Sequence, residues 1–250
     1  MISASDLRKI GKLKGLANLG HAEKDYMLDI LLLSVSRNTK DELVFKGGTC
    51  LFKFYKLDRF SEDADFTLQK DLEVGALLKK IMSDFSSYGI ESQIKERKAF
   101  NTVLAALKLE GPLYTGTQHS ICSIRIDINQ KSSIDLKPEL LSYSSLYPDI
   151  PSFSILAMQE KEILAEKVRA VLLRNKARDL YDLWFLLRKG VSFDSELAAV
   201  KLMYYKKSWD AKEFRREVES KKNVWETELR PLVAEVPPFS EVRKLVLSHV

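Results

Sequence analysis

The sequence predicts an α/β protein: a mixed β-sheet with flanking helices over residues 1–150, followed by a helical C-terminal domain over 151–250. Three observations carry this. Short apolar or alternating runs alternate with helical patterns as far as Asn129. A Ser-, Pro- and Tyr-rich connector then fills 130–156, with the boundary placed near Pro151. From Met158 onward the apolar spacing is helical, so strands and helices segregate along the chain.

Taken in order, residues 3–38 read as two helices. The second begins near Ala22 and carries Met27, Ile30, Leu31, Ser34 and Val35 at helical spacing, which predicts one buried face. Leu43-Val44-Phe45 is a short apolar strand meeting Gly47-Gly48, where the backbone can turn sharply. Thr49 suits the N-cap of the helix that follows. A second strand holds Asp63, Asp65, Phe66 and Leu68. Residues 73–87 have the apolar stripe Val74, Leu77, Leu78, Ile81 and Phe85, closed by Gly89. Strands are expected at 90–97, 103–109 and 121–129, the last two separated by Gly111-Pro112 and Gly116. A short strand is expected at 134–136. Helices then run over 159–173 and 177–188, interrupted near Asn175 and stopped at Gly190.

Composition excludes several classes. Cys50 and Cys122 lack metal-ligand spacing and read as core thiols, and the three scattered histidines make a zinc site improbable. The N-terminus has no apolar secretory core, and the longest apolar runs are too short to span a bilayer, so a cytoplasmic location without membrane contact is expected. The net charge of +5 mildly favours an anionic partner.

The chemistry concentrates in Lys46–Leu68. A glycine turn opening a helix presents unpaired N–H groups suited to phosphate. Asp63 and Asp65, two apart on a strand, share a face, and adjacent carboxylates are compatible with a hard cation such as Mg²⁺ between them. Phosphate cradle beside metal carboxylates reads as nucleotidyl transfer, the alternative being a glycine turn followed by an exposed acidic strand. In 121–129, Ile124, Ile126 and Ile128 share one face while Arg125, Asp127 and Asn129 share the other. Asp127 is therefore a third candidate metal carboxylate, with a solvated strand aspartate as the alternative. Lys167 sits at the margin of its helix's apolar stripe, and R-D-L-Y-D (178–182) reads as a salt-bridge network or a site. The C-terminal basic and aromatic residues, among them Tyr204, Tyr205, Trp209 and Trp225, suit single-stranded nucleic acid or a bundle with a solvated face, the second being preferred.

Five segments in one order, Glu23-Lys24-Asp25-Tyr26, Phe45-Lys46-Gly47-Gly48-Thr49, Arg59-Phe60-Ser61-Glu62-Asp63-Ala64-Asp65-Phe66, Glu166-Lys167-Val168-Arg169-Ala170 and Arg178-Asp179-Leu180-Tyr181-Asp182-Leu183, resemble the AbiEii/AbiGii type of abortive-infection toxin, a branch of the nucleotidyltransferases. The resemblance implies a nucleotidyltransferase-like α/β fold and transfer of a nucleotide from an NTP to the 3′ end of tRNA. It also implies a toxin neutralised by a separately encoded antitoxin. Gly47, Gly48 and Thr49 would hold the triphosphate with help from Ser61, and Asp63 and Asp65 would hold Mg²⁺. Lys167 would contact phosphates and Asp182 would be a second essential acid; Lys46, Arg59 and Arg178 are counted as further nucleotide-binding residues. The alternatives are transfer to a protein or small molecule, and a non-catalytic nucleotide- or RNA-binding partner.

Overall fold

The computed structural model describes residues 1–16, 18–99 and 101–250, with the backbone alone at 98 and 99. Ala17, inside the expected two-helix segment 3–38, lies outside the described residues. The chain forms two compact units. The first is Met1–Phe54, Phe60–Ile134 and Pro138–Ala157; the second is Tyr55–Arg59, Asp135–Lys137 and Met158–Val250.

In the first unit, α1 (Ala4–Leu13) and α2 (Leu19–Asn38) lead into β1 (Leu43–Lys46), α3 (Gly47–Phe54), β2 (Ala64–Leu68) and α4 (Val74–Ser87). The strands β3 (Ser92–Ala99), β4 (Thr102–Leu109), β5 (Cys122–Asn129), β6 (Glu139–Tyr143) and β7 (Phe153–Ala157) follow. They make one mixed seven-stranded sheet in the order β3-β4-β5-β2-β1-β7-β6. β2 runs parallel to β5 and β1 to β7, while the other neighbours are antiparallel. The period-two pattern decides its faces. Ile124, Ile126 and Ile128 of β5, with Val103, Ala105 and Leu107 of β4, are buried, on the side against which α2 and α4 pack. Arg125, Leu104 and Lys108 lie exposed on the opposite side.

Two expectations need correction. α2 is not a one-faced amphipathic helix: from Ala22 to Val35 it is buried on all sides, with Lys24 half exposed, as a helix through a core must be. No strand forms at 134–136. The N–H groups of Asp135 and Leu136 instead donate to the Glu162 carboxylate at 2.8 and 3.0 Å, so a side chain satisfies donors that a sheet would otherwise take. β6 and β7 lie farther on, and β7 carries the sheet unit to Ala157.

The second unit holds α5 (Glu160–Leu173), α6 (Ala177–Arg188), α7 (Ser195–Met203), α8 (Ala211–Ser220), α9 (Trp225–Leu229) and α10 (Phe239–His249). α7 and α8 pack against α5, and α9 and α10 against α6. Tyr55–Arg59 is fastened to this bundle: the Tyr55 hydroxyl donates to the Met158 carbonyl at 3.0 Å, and the Tyr181 hydroxyl to Asp58 at 2.7 Å. Lys201, fully buried, pairs with Asp135 at 2.7 Å and with Glu162, and so holds the Asp135–Lys137 segment. Of the C-terminal aromatics, Trp225 is buried, while Tyr204, Tyr205 and Trp209 are half-buried. Trp209 packs between Phe193 and Phe214, and the buried Trp225 donates its indole N–H to the Pro237 carbonyl at 2.8 Å.

Candidate active site

The site of the first unit is built where β1 turns into α3. Gly47 has φ +76°, a conformation that disfavours any side chain, and a Cβ there would run into the Asp65 carboxylate. The turn and the acid are thus in direct contact. The helix already begins at Gly47, so Thr49 lies within it and is not its N-cap. The fully buried Thr49 hydroxyl donates to the Asp63 carbonyl and stands 2.9 Å from Ser61 Oγ. It ties the helix to the strand that carries the acids.

Register places the carboxylates. Asp65 on β2 is the partner of Asp127 on β5, and also of Lys46 on β1. Cross-strand partners project to the same face, so Lys46, Asp65 and Asp127 form one row. Asp63, just before β2, is held by Arg125: Nε donates to one carboxylate oxygen at 2.9 Å and Nη2 to the other at 2.6 Å. This bond raises the pKa of the already strongly basic Arg125 guanidinium. Asp127 accepts from the Thr102 hydroxyl at 2.7 Å. Among the described residues no three acidic, His or Cys side chains converge closely enough to hold an ion together. The donors are nonetheless all oxygen, and two of the acids are register partners on adjacent strands. Oxygen donors are what a hard divalent cation takes, while Asp63 in this structure is engaged by Arg125.

The Glu23-Lys24-Asp25-Tyr26 segment of α2 anchors this region from below, each residue to a different element. Glu23, buried, accepts the Leu113 N–H at 2.8 Å and holds the β4–β5 loop. Lys24 pairs with Glu62, next to Asp63, at 2.6 Å. Asp25, with Asp29, surrounds the buried Lys53 of α3, and Asp25 also binds Lys14. Burial opposes the Lys53 charge, but the two aspartates outweigh it and raise its pKa above the ordinary value. Tyr26 donates to Asp149 at 2.6 Å. Nearby, His21 stacks on Phe60 with ring centres 4.3 Å apart.

The other candidates form a buried cluster in the helical unit. Arg59 grips Asp182 through both carboxylate oxygens at 2.6 and 2.7 Å. Lys167 reaches Asp182 at 2.7 Å and Asp179 at 3.0 Å. Burial works to raise the Asp179 carboxyl, yet Lys167 and Arg174 hold it down to about 2. Burial likewise pulls the Lys167 ammonium down, and Asp182 and Asp179 more than restore it. Arg178 is half-buried in the first turn of α6, and the Asp182 carboxylate is held by Arg59 and Lys167. The structure therefore gathers Lys46, Gly47, Gly48, Thr49, Ser61, Asp63, Asp65 and Asp127 in one unit, and Arg59, Lys167, Arg178 and Asp182 in the other. Sequence reasoning assigned no role to Arg125, and it met Asp179 only within the R-D-L-Y-D stretch read as a salt-bridge network or a site; here Asp179 pairs with Lys167 and Arg174. The alternation that put Arg125 on the polar face with Asp127 was the available signal.

A glycine turn opening a helix against an acid-bearing strand, with a further aspartate in register on the parallel neighbour, is the layout of a nucleotidyltransferase. Residues 31–245 match the family described as nucleotidyl transferase AbiEii toxin, type IV toxin–antitoxin system, and the chain belongs to that family. Solved structures share its fold at 18% identity. MenT4, a nucleotidyltransferase toxin from Mycobacterium tuberculosis, superposes with a TM-score of 0.65 over 100% of this chain and 88% of its own. JHP933 from Helicobacter pylori does so with 0.64, over 94% of this chain and 91% of its own. No match was found among curated proteins. Among the described residues, no helix is long and apolar enough to cross a membrane.

Proposed function

We propose that this nucleotidyltransferase transfers the nucleoside monophosphate of an NTP to the 3′-hydroxyl of a tRNA, releasing pyrophosphate, in a Mg²⁺-dependent reaction, as the cytoplasmic toxin of a pair whose antitoxin is a separate protein. The observation that carries the chemistry is the Asp65–Asp127 register beside the Gly47 turn. Asp63, Asp65 and Asp127 would hold Mg²⁺, which when bound neutralises phosphate charge and lowers the pKa of the attacking hydroxyl. The N–H groups that open α3 at Gly47 and Gly48 receive phosphate oxygens. Lys46, in the same row as Asp65, adds positive charge beside them. The Thr49–Ser61 contact keeps the turn and the acid strand in fixed relation, so little reorganisation is needed as charge develops. In the helical unit, Arg59, Lys167 and Asp182 act as one coupled set, and Arg178 is the cation offered to a phosphate.

Incubation with labelled NTPs, Mg²⁺ and total tRNA tests this reading. Asp63→Ala, Asp65→Ala and Asp127→Ala should each lower label transfer by about a hundred- to a thousand-fold or more, with little change in melting temperature. Undiminished transfer in the Asp65→Ala protein would remove the metal assignment. Label found only on protein would remove the tRNA acceptor.

A further inference from the structure

The face of the sheet that bears Asp65 and Asp127 continues across β5, β4 and β3. The register across it is Asp65–Asp127–Leu104–Arg97, and one row away Arg125–Ala106–Lys95, with Lys108 beyond. Lys95, Arg97, Lys108 and Arg125 are all exposed there. Arg125 is engaged by Asp63, whereas Lys95, Arg97 and Lys108 have no ion-pair partner among the described residues. Neighbouring strands are about 4.8 Å apart, so Arg97 lies about 10 Å from Asp127 across the sheet, and Lys95 about 14 Å from the Asp63 position. The carboxylates thus stand at one end of a short, flat, positively charged track. Leu104, 38% exposed between Arg97 and Asp127, gives that track one apolar spot.

We propose that this open face of β3, β4 and β5 is the acceptor-binding surface, and that it grips the phosphates of a single-stranded RNA 3′ end leading to the carboxylates. The proposal rests on the RNA-acceptor reading above. Charge complementarity selects the occupant: three unpaired cations within a few residues of metal-type acids suit a polyanion whose end must reach those acids. The face carries no aromatic side chain among the described residues. Binding is therefore electrostatic, with little base stacking and little sequence preference. Charges on an edge strand, such as Lys95 and Arg97 on β3, also discourage strand addition by other chains, and that protective role requires no RNA.

The test compares the wild-type protein with a Lys95→Ala, Arg97→Ala, Lys108→Ala variant, using a fluorescent short single-stranded RNA and its duplex as probes. Each lost phosphate contact removes about 0.7 from the slope of log affinity against log salt, so the variant's slope should be shallower by about 2. Its KM for the RNA acceptor should rise at least tenfold, with NTP affinity measured without RNA unchanged. The melting temperature should also hold, because exposed positions of this kind rarely matter to stability. Unchanged RNA affinity and salt slope in the variant, alongside wild-type transfer to RNA, would overturn the surface and leave the acceptor reading standing. Tighter binding of the duplex than of the single strand would overturn the commitment to a single-stranded end. If the wild-type protein neither binds RNA nor labels it, the acceptor reading itself fails.

Discussion

Arg125 and Asp63 form a two-point ion pair across adjacent strands, with the guanidinium largely exposed and the carboxylate mostly shielded. In this state a candidate metal ligand is occupied by a cation of the protein's own. An exposed pair of this kind is worth about 0.2–1 kcal/mol, a modest barrier to exchange.

Arg125→Gln should therefore bind divalent cation more tightly, by up to about fivefold on that energy. Calorimetric titration with Mn²⁺ would report it without turnover. Unchanged or weaker Mn²⁺ binding would show that the arginine does not compete with metal for Asp63.

Gly47→Ala combines a left-handed backbone with a collision against the Asp65 carboxylate. It should cost at least about 1–2 kcal/mol and abolish most transfer. Gly116→Ala is the control, with φ +83° but nothing within 4 Å of an added Cβ. It should carry a similar backbone penalty and keep full specific activity. Urea unfolding beside the transfer assay separates the two effects.

Asp182→Ala leaves Arg59 and Lys167 buried without their shared counter-charge. Breaking such a cluster should destabilise by about 3–5 kcal/mol, read as a lower urea midpoint. Arg178→Ala should change stability by less than about 0.5 kcal/mol. A drop in transfer by the second variant then reports on phosphate contact and not on folding.

Acid should weaken the same cluster. Asp179 has its pKa depressed from an ordinary 3.8 to about 2 in the folded protein. A depressed carboxyl stabilises the fold above its unfolded value, and that contribution is lost as pH falls from about 4 through about 2. The gap corresponds to on the order of 2 kcal/mol. Asp179→Asn should flatten the loss of stability over that window, as followed by denaturant midpoints at successive pH values.

The parts of this molecule that a reader of the sequence can recover are those with a local period. The alternation Ile124, Ile126, Ile128 placed Asp127 on the polar face of a strand, and β5 spans Cys122–Asn129. The helix read over 177–188 has those bounds. What escaped is non-local. The Arg125–Asp63 pair joins residues 62 apart, and their meeting depends on β2 and β5 lying parallel in one particular register. β6 and β7 escaped because both are five-residue strands within or beside a connector read for its Ser, Pro and Tyr content: E-L-L-S-Y has no buried face, and the alternation of Phe153, Ile155 and Ala157 in F-S-I-L-A is short. The all-round burial of α2 escaped because its acids are paired inside the core, where pattern reading assigns charges to the surface.

That last helix constrains how the chain can vary in length. Successive helix residues point about 100° apart, so Glu23 through Tyr26 face four ways, and each faces its own anchor. A single inserted residue after Tyr26 would turn the following stretch by that angle against Asp29, Ile30 and Leu31, all buried in fixed directions. No rotation of the helix could satisfy both halves. Surface loops absorb changes in length readily, whereas α2 tolerates exchange of residues far better than any change in their number.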